Sequence, residues 1–352
     1  MIRRIFLFLF FLFFSCDSKD EIKNNLYNYI PSNTVLVVKI NNHITLNNII
    51  KNNPIISSLR FLDKSLFNTL EEITPNKIPL PALFCFTPFG KNKIAITLIT
   101  KFDQKDSLKN SNKKYSIYNG KKIIEIKINK NEYFKSRIKN IQFVSNSKLI
   151  LENSIRLFEN KTKGIQSKDF YNLAEFLNNN SPANILIKYN AHKFFKDIFL
   201  QTPLFPKIGE SWSSYDLNLR VEPLAFDGIH FINDSIPNRL TFIKDLDSKE
   251  IYSDNIIPQN FNSLLIIPVD NFEILESNYK KYSRYKNLAI KKIDFKPFNQ
   301  IDEISWINYM NENAIFLHLK SDDNLNDILY DEKNLLKEFR NVKIVKKNLP
   351  ND

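Results

Sequence analysis

Glycine is scarce in this chain, with 5 residues in 352, at positions 90, 120, 164, 209 and 228. A phosphate-cradling loop or a dinucleotide-binding turn needs closely spaced glycines, so neither can be written anywhere in the sequence. The Gly-x-Ser-x-Gly turn that carries a nucleophilic serine is missing for the same reason. Cysteine is limited to Cys16 and Cys85, which leaves no disulfide framework and no paired-cysteine zinc motif. The four histidines, His43, His192, His230 and His318, stand far apart, and none belongs to a His-Glu-x-x-His pair. Asp322, Asn324 and Asn326 match the opening of a calcium loop. Asp327 then stands where the turn needs glycine, and Lys333 where the loop needs its bidentate glutamate. Acids in the first turn of a helix explain Asp322 and Asp323 better. The expectation is therefore no metal and no cofactor.

Long apolar runs are also missing, except for one at the start. Arg3 and Arg4 precede an unbroken stretch of Phe, Leu and Ile over residues 5–14, followed by Ser15 and Cys16. A basic start, a short apolar core and a small residue before the cut define a secretory signal peptide. The run falls short of the roughly 20 residues that a spanning helix requires. It also lacks the polar face of a helix packed on a soluble core. Cleavage is expected between Ser15 and Cys16.

Phe13-Phe14-Ser15-Cys16 resembles the lipobox of bacterial lipoproteins, with Phe at two positions where smaller or aliphatic residues are usual. The resemblance implies that Cys16 becomes the first mature residue and carries the lipid, palmitate included. Ordinary signal peptidase, giving a soluble product, is the alternative. Asp17-Ser18-Lys19-Asp20-Glu21 is similar to the surface-export tag of Bacteroidota lipoproteins, and equally reads as a solvated linker. The implied location is the cell envelope, as an outer-membrane lipoprotein, with surface exposure and a periplasmic orientation both left open by the sequence.

With 43% hydrophobic and 13% aromatic residues the chain is globular rather than disordered. Once Cys16 is lipidated, Cys85 remains as the sole thiol, and Leu83-Phe84-Cys85-Phe86 reads as a buried strand. The formal charge is +12, and removal of Arg3 and Arg4 lowers it by two. Most of the excess is local, since residues 101–148 hold 13 Lys or Arg against 4 acids. Such a patch suits anionic headgroups or polysaccharide. In Ile124-Glu125-Ile126-Lys127-Ile128 charges alternate with Ile, as on the wet face of an antiparallel strand. No nucleic-acid module interleaves aromatics with these cations, and no nucleic acid is expected as a partner.

The order of elements predicts an α+β fold, a large antiparallel sheet with helices packed on it. Pro31 leads into Val35-Leu36-Val37-Val38 and then a helix carrying Leu46, Ile49 and Ile50. The same phrase follows Pro182, with Phe194, Phe195, Ile198 and Phe199 on its helix, and Pro258, where Asp270 and Glu273 approximate a capping box. A second phrase, hairpin then helix, covers residues 141–158 and 304–329, the first hairpin pairing residues 141–144 with 149–151. These repeats suggest two related modules, 31–180 and 181–352, behind a signal peptide (1–15) and a lipidated tether (16–30). Strands at 214–221 and 224–231 supply a further hairpin, with Gly228 marking a bulge or a close backbone approach.

Trp212, Asp216 and Gly228, with the strand opened by Pro31, resemble a group of Bacteroidota lipoproteins without assigned chemistry. Members of that group often continue into a C-terminal β-propeller, which this sequence does not contain. The connection over residues 201–212 holds Phe205 and Trp212 between prolines, a candidate binding loop if its rings face solvent; a small satellite core is the alternative. The function expected is a non-enzymatic envelope lipoprotein that binds or scaffolds a protein or polysaccharide. The alternative is a membrane-anchored hydrolase of glycan or peptide with catalytic acids dispersed in sequence.

Overall fold

Six consecutive residues of one strand, Ala82 to Thr87, are buried, and so are six of its neighbour, Ala95 to Thr100. Successive strand residues point to opposite faces, so both faces of this sheet are covered at its centre. The computed structural model describes residues 25–42, 52–54, 58, 64–74, 79–90, 93–102, 114–188, 191, 212–219, 224–232, 237, 239–253, 257, 260–287, 299–309, 312–320, 335–339 and 342–345. The chain divides into two compact units, residues 1–200 with 210–231, and residues 201–209 with 232–352.

The first unit is built on a ten-stranded sheet. In chain order its strands are β1 (Leu36–Ile40), β2 (Ala82–Phe89), β3 (Lys93–Lys101), β4 (Tyr115–Tyr118), β5 (Lys121–Ile128), β6 (Asn131–Ile138), β7 (Ile141–Ser145), β8 (Ala183–Lys188), β9 (Trp212–Leu219) and β10 (Leu224–His230). Their spatial order is β10-β9-β8-β1-β2-β3-β7-β6-β5-β4, and every pairing is antiparallel. From β4 to β7 the sheet is a meander of tight hairpins, with Tyr118 opposite Lys121, Ile128 opposite Asn131 and Ile138 opposite Ile141. The first turn is Asn119-Gly120, both at positive φ (46° and 71°). That backbone matches the twist of the flanking strands and favours this dipeptide.

One face carries Val37, Leu83, Cys85, Ile99, Phe143, Leu186 and Trp212. Three elements cover it: a 3-10 turn (Leu26–Tyr29) and the helices α2 (Lys148–Asn160) and α3 (Lys168–Glu175), which contribute Leu26, Tyr29, Leu151, Ile155, Phe170 and Leu173. The opposite face carries Ile40, Phe84, Phe86, Ile96, Leu98 and Val144, and α1 (Lys64–Ile73) adds Leu66, Leu70 and Ile73. Glu72 anchors α1 by accepting hydrogen bonds from Asn129 (2.7 Å), Asn131 (2.8 Å) and the Tyr133 hydroxyl at the β5–β6 hairpin. Those donors hold its carboxyl below the ordinary glutamate range.

The expected α+β class is present: antiparallel sheet dominates and helices pack on it. Four details differ from the sequence reading. Residues 25–30, assigned to the tether, belong to the core, with Leu26, Tyr29 and Ile30 buried. Residues 149–151 are the first turn of α2 rather than a second hairpin strand; Ile150, Leu151, Ser154, Ile155 and Leu157 are buried at helical spacing. The boundary expected at residue 180 falls within one sheet, because β8 pairs with β1 from Ala183–Ile40 to Ile187–Leu36. The helix after Pro258 is capped by Asn271 rather than Asp270. The helices expected around Leu46, Phe194 and Leu325 lie outside the described residues.

In the second unit β11 (Ser263–Pro268), β12 (Ile301–Tyr309) and β13 (Glu312–Leu319) form an antiparallel sheet in that order. The expected hairpin at 304–319 is present, with Asn308 opposite Asn313. The helix α4 (Phe272–Tyr285) starts where the Asn271 side chain accepts from the amides of Glu273 (3.0 Å) and Ile274 (3.4 Å). Val269, Phe272 and Ile301 form the buried centre of this unit. A separate hairpin joins β14 (Leu335–Phe339) to β15 (Val342–Val345).

Gly164 follows α2 and passes directly over the entering chain. A Cβ there would stand 1.9 Å from the Ile30 carbonyl oxygen and 2.8 Å from Leu157 Cδ1. Gly164→Ala is expected to destabilise the first unit by about 1–3 kcal/mol, the range for overpacking a filled core. Chemical denaturation of wild type and variant measures it; equal midpoints would refute the close approach.

Candidate functional site

The sequence singles out Trp212, Asp216 and Gly228, and all three lie on the β9–β10 hairpin. Trp212 opens β9, and its indole is 3% exposed, seated 4.8 Å from the Phe170 ring of α3. Phe170 in turn meets Tyr27 and Tyr171 edge-on, so the indole ends an aromatic row that ties β9 to α3 and the 3-10 turn. Burial in this row pushes the Tyr27 hydroxyl well above its ordinary value. The binding-loop reading of Trp212 is thereby corrected, because a ring inside the core presents nothing to a partner. Phe205 lies outside the described residues.

Asp216 is likewise used internally. Its Oδ1 accepts from the side-chain amide of Asn184 (2.6 Å), and both its oxygens take the backbone N–H of Asn178 (3.4 and 3.3 Å). Asn184 passes the network on: its amide also donates to the Asn178 carbonyl (2.9 Å), and its oxygen accepts from Asn41 (2.7 Å). One carboxylate thus fastens the connection after α3 to three adjacent strands. Gly228 lies opposite Tyr215, whose ring carbons would stand 2.6 Å from a Cβ at that position. The expected close approach is a tyrosine ring laid across the glycine of the neighbouring strand.

In the second unit two adjacent acids on β12 hold the segment 249–253. Glu303 is 1% exposed and accepts from the amides of Tyr252 (2.6 Å) and Ser253 (3.0 Å) and from the Ser305 hydroxyl (3.1 Å). Ser253 and Ser305 also hydrogen-bond each other. Asp302 stands at a bulge, with Oδ1 2.5 Å from His318 Nδ1 and Oδ2 3.5 Å from Lys249 Nζ. The Tyr252 ring stacks on the His318 imidazole at 4.1 Å and 7°. A histidine oriented by a buried aspartate is half of an acid–base device. The Ser305 hydroxyl donates to Glu303 and the Ser253 hydroxyl bonds Ser305, so both are engaged away from the imidazole and the arrangement works as a clasp. His43 and His192 lie outside the described residues, and no metal-binding group of His, Cys, Asp and Glu occurs among the described ones. Cys85 is fully buried in β2, and burial raises its thiol far above the ordinary value.

The basic segment forms the far end of the ten-stranded sheet. Its lysines toward the α2 side meet acids: Lys114 with Glu125 (3.0 Å), Lys121 with Glu159 (3.2 Å) and Lys127 with Glu132 (3.4 Å). On the other side of the terminal strand β4, Tyr115 and Ile117 are 55% and 70% exposed, and Lys122 Nζ lies 4.2 Å from the centre of the Tyr115 ring. Sequence analysis missed these two apolar residues, although Lys-Tyr-Ser-Ile-Tyr-Asn-Gly-Lys-Lys over 114–122 carries the hairpin dipeptide that would have placed them at an edge.

Trp212→Ala is expected to cost about 3–5 kcal/mol, the range for removing a large buried aromatic; an unchanged melting curve would return the indole to solvent. His230, at the end of β10, bonds Ser213 Oγ through Nδ1 at 2.9 Å, and burial lowers its pKa. Folding therefore favours the neutral ring, whose contribution is complete above the ordinary histidine value of about 6.5 and is lost as pH falls through the lower folded value. Stability is expected to drop from pH 7 to 5 less steeply in His230→Gln than in wild type, as read by urea titration at each pH. Parallel slopes would remove His230 from the acid response.

No family model, no curated protein and no solved structure matches the chain, so its function rests on its own residues.

Proposed function

We propose that the chain is an outer-membrane lipoprotein, held by lipid on Cys16 and exposed at the cell surface, whose sheet body binds or scaffolds a protein or polysaccharide of the envelope. The observation that carries this reading is the junction between the lipobox-like segment and the fold. Asn25 caps the first turn by accepting from the Tyr27 amide (3.0 Å), and Leu26 is already buried. Eight residues lie between Cys16 and Asn25, a contour of roughly 30 Å over the nine steps. A body held so close to a bilayer is suited to work on neighbours in the same envelope.

The polar groups favour binding over chemistry. Asp216, Glu72 and Glu303 each spend their oxygens on backbone or amide donors that fix a connection to a sheet. The terminal strand β10 exposes Phe226 and Ile229, large apolar side chains of the kind that partner contacts use. The alternative, an anchored hydrolase, draws on the Asp302–His318 pair, whose neighbouring hydroxyls on Ser253 and Ser305 are bonded elsewhere.

Metabolic palmitate labelling of wild type and Cys16→Ser, with protease added to intact cells, tests the anchor and the orientation together. Label is expected in wild type alone, with the body digested from outside. Absence of label from both would overturn the anchor, and protection of the body would place it inside the outer membrane.

A further inference from the structure

We propose that the β4 end of the ten-stranded sheet is a membrane-docking edge that lies against the anionic headgroups of the bilayer holding the anchor. Tyr115 and Ile117 lie two apart on β4, so they share one face, and Lys122 stands directly opposite Ile117 on that face. Lys122 sits over the Tyr115 ring and keeps that aromatic at the exposed edge beside a cation. Lys114, one residue before Tyr115 and so turned to the opposite face, pairs with Glu125 and is 82% exposed at the start of the strand. An apolar pair with an aromatic, beside the Lys122 ammonium at the sheet edge, matches the chemistry of a headgroup layer, where rings sit at the interface and cations meet lipid phosphate.

Charge separates the two ends of the sheet. The segment 101–148 holds 13 cations against 4 acids, and two of those acids, Glu125 and Glu132, are themselves paired with lysines. The two strands of the other terminal hairpin, β9 and β10, contain Asp216 and Asp227 and no lysine or arginine, and the connection between them holds one of each sign, Arg220 and Glu222. An anionic surface attracts the first end far more strongly than the second.

Reach is compatible with this placement, a point that rests on the lipid-anchor reading. The chain enters over the middle of the sheet, where Leu26 and Tyr29 pack with Cys85 and Phe143 of β2 and β7. From β2 to β4 there are five strand spacings, about 24 Å in all. The eight residues between Cys16 and Asn25 can span up to roughly 30 Å, enough to let the edge reach the surface in which Cys16 would sit.

The test uses the mature chain without its lipid, beginning at Asp17, and vesicles of phosphatidylcholine with or without phosphatidylglycerol at about 0.1 M salt. Wild type is expected to sediment with the anionic vesicles at least tenfold more strongly than with neutral ones. Lys114→Gln, Tyr115→Ser, Ile117→Ser and Lys122→Gln combined are expected to weaken that binding at least tenfold, with an unchanged thermal melt. Lys161→Gln with Lys168→Gln, which removes the same charge from exposed positions near α2 and α3, is expected to change it less than twofold. Wild-type binding that is absent or equal on both vesicles, a quadruple variant that binds as wild type, or a control that loses as much would each overturn the proposal. Because this protein carries no lipid, its failure leaves the palmitate result standing, and loss of the anchor leaves the vesicle result standing.

Discussion

Burial on both faces of β2 and β3 is the constraint from which the remaining architecture follows. An antiparallel sheet commonly leaves one face to water, and its strands then alternate apolar and polar residues. Here Phe84 and Cys85, Leu98 and Ile99 are neighbours along their strands and each is buried. A layer is therefore required on each side. The 3-10 turn, α2 and α3 supply one, and α1 contributes to the other. The buried hydroxyls at the centre fit the same constraint, because a strand polar group without water needs a partner. Thr34 and Thr87 meet at 2.8 Å across β1 and β2, and Thr97 meets Ser145 at 3.0 Å across β3 and β7.

Layers stacked on a sheet must be connected by segments with no regular partners, and three carboxylates carry those connections. Asp216 grips the turn after α3, Glu303 grips 249–253 and Glu72 grips a hairpin beneath α1. Each carboxylate offers two oxygens to converging donors, which suits holding irregular backbone better than a single hydroxyl would. With Cys85 locked in β2, this chain has no covalent staple among its described residues, and such clasps fill that role. The lone pairs of these three carboxylates are thereby committed to holding backbone and side-chain donors in place.

What was legible in the sequence depended on whether the deciding contact was local. The β9–β10 and β12–β13 hairpins were readable because alternation and the turn lie within one short stretch. The buried strand around Cys85 was readable from apolar continuity. Residues 148–151 were misread because Leu149-Ile150-Leu151 is apolar in a run, and a short run fits strand and helix equally. The decision comes from Leu151 and Ile155 landing under the 3-10 turn, a contact with residues more than a hundred positions earlier. Sequence leaves Trp212 open between a binding loop and a small core for the same reason: the ring that buries it, Phe170, belongs to a helix distant in sequence. The module boundary near 180 failed because two copies of a local phrase, at Pro31 and Pro182, turned out to be adjacent strands of one sheet. The anchor motif at Cys16 and the loop at Phe205 lie outside the described residues.

The two ends of the sheet pose a problem that its centre does not. Layers run out there, and large apolar side chains reach the surface, Tyr115 and Ile117 at one end, Phe226 and Ile229 at the other. A terminal strand with exposed apolar residues invites pairing with another strand, and lysine is a common deterrent. Strand β4 is only four residues long, with Lys114 just before it and Lys121 and Lys122 opposite it on β5. A strand so protected is poorly suited to sheet extension, yet the same lysines favour a smooth anionic surface. Strand β10 is nearly twice as long and carries no lysine. Its apolar residues sit beside Asp227, which repels that surface. One sheet thus presents two chemically distinct edges, one bordered by lysines and one by an aspartate, with the doubly buried strands fixing the distance between them.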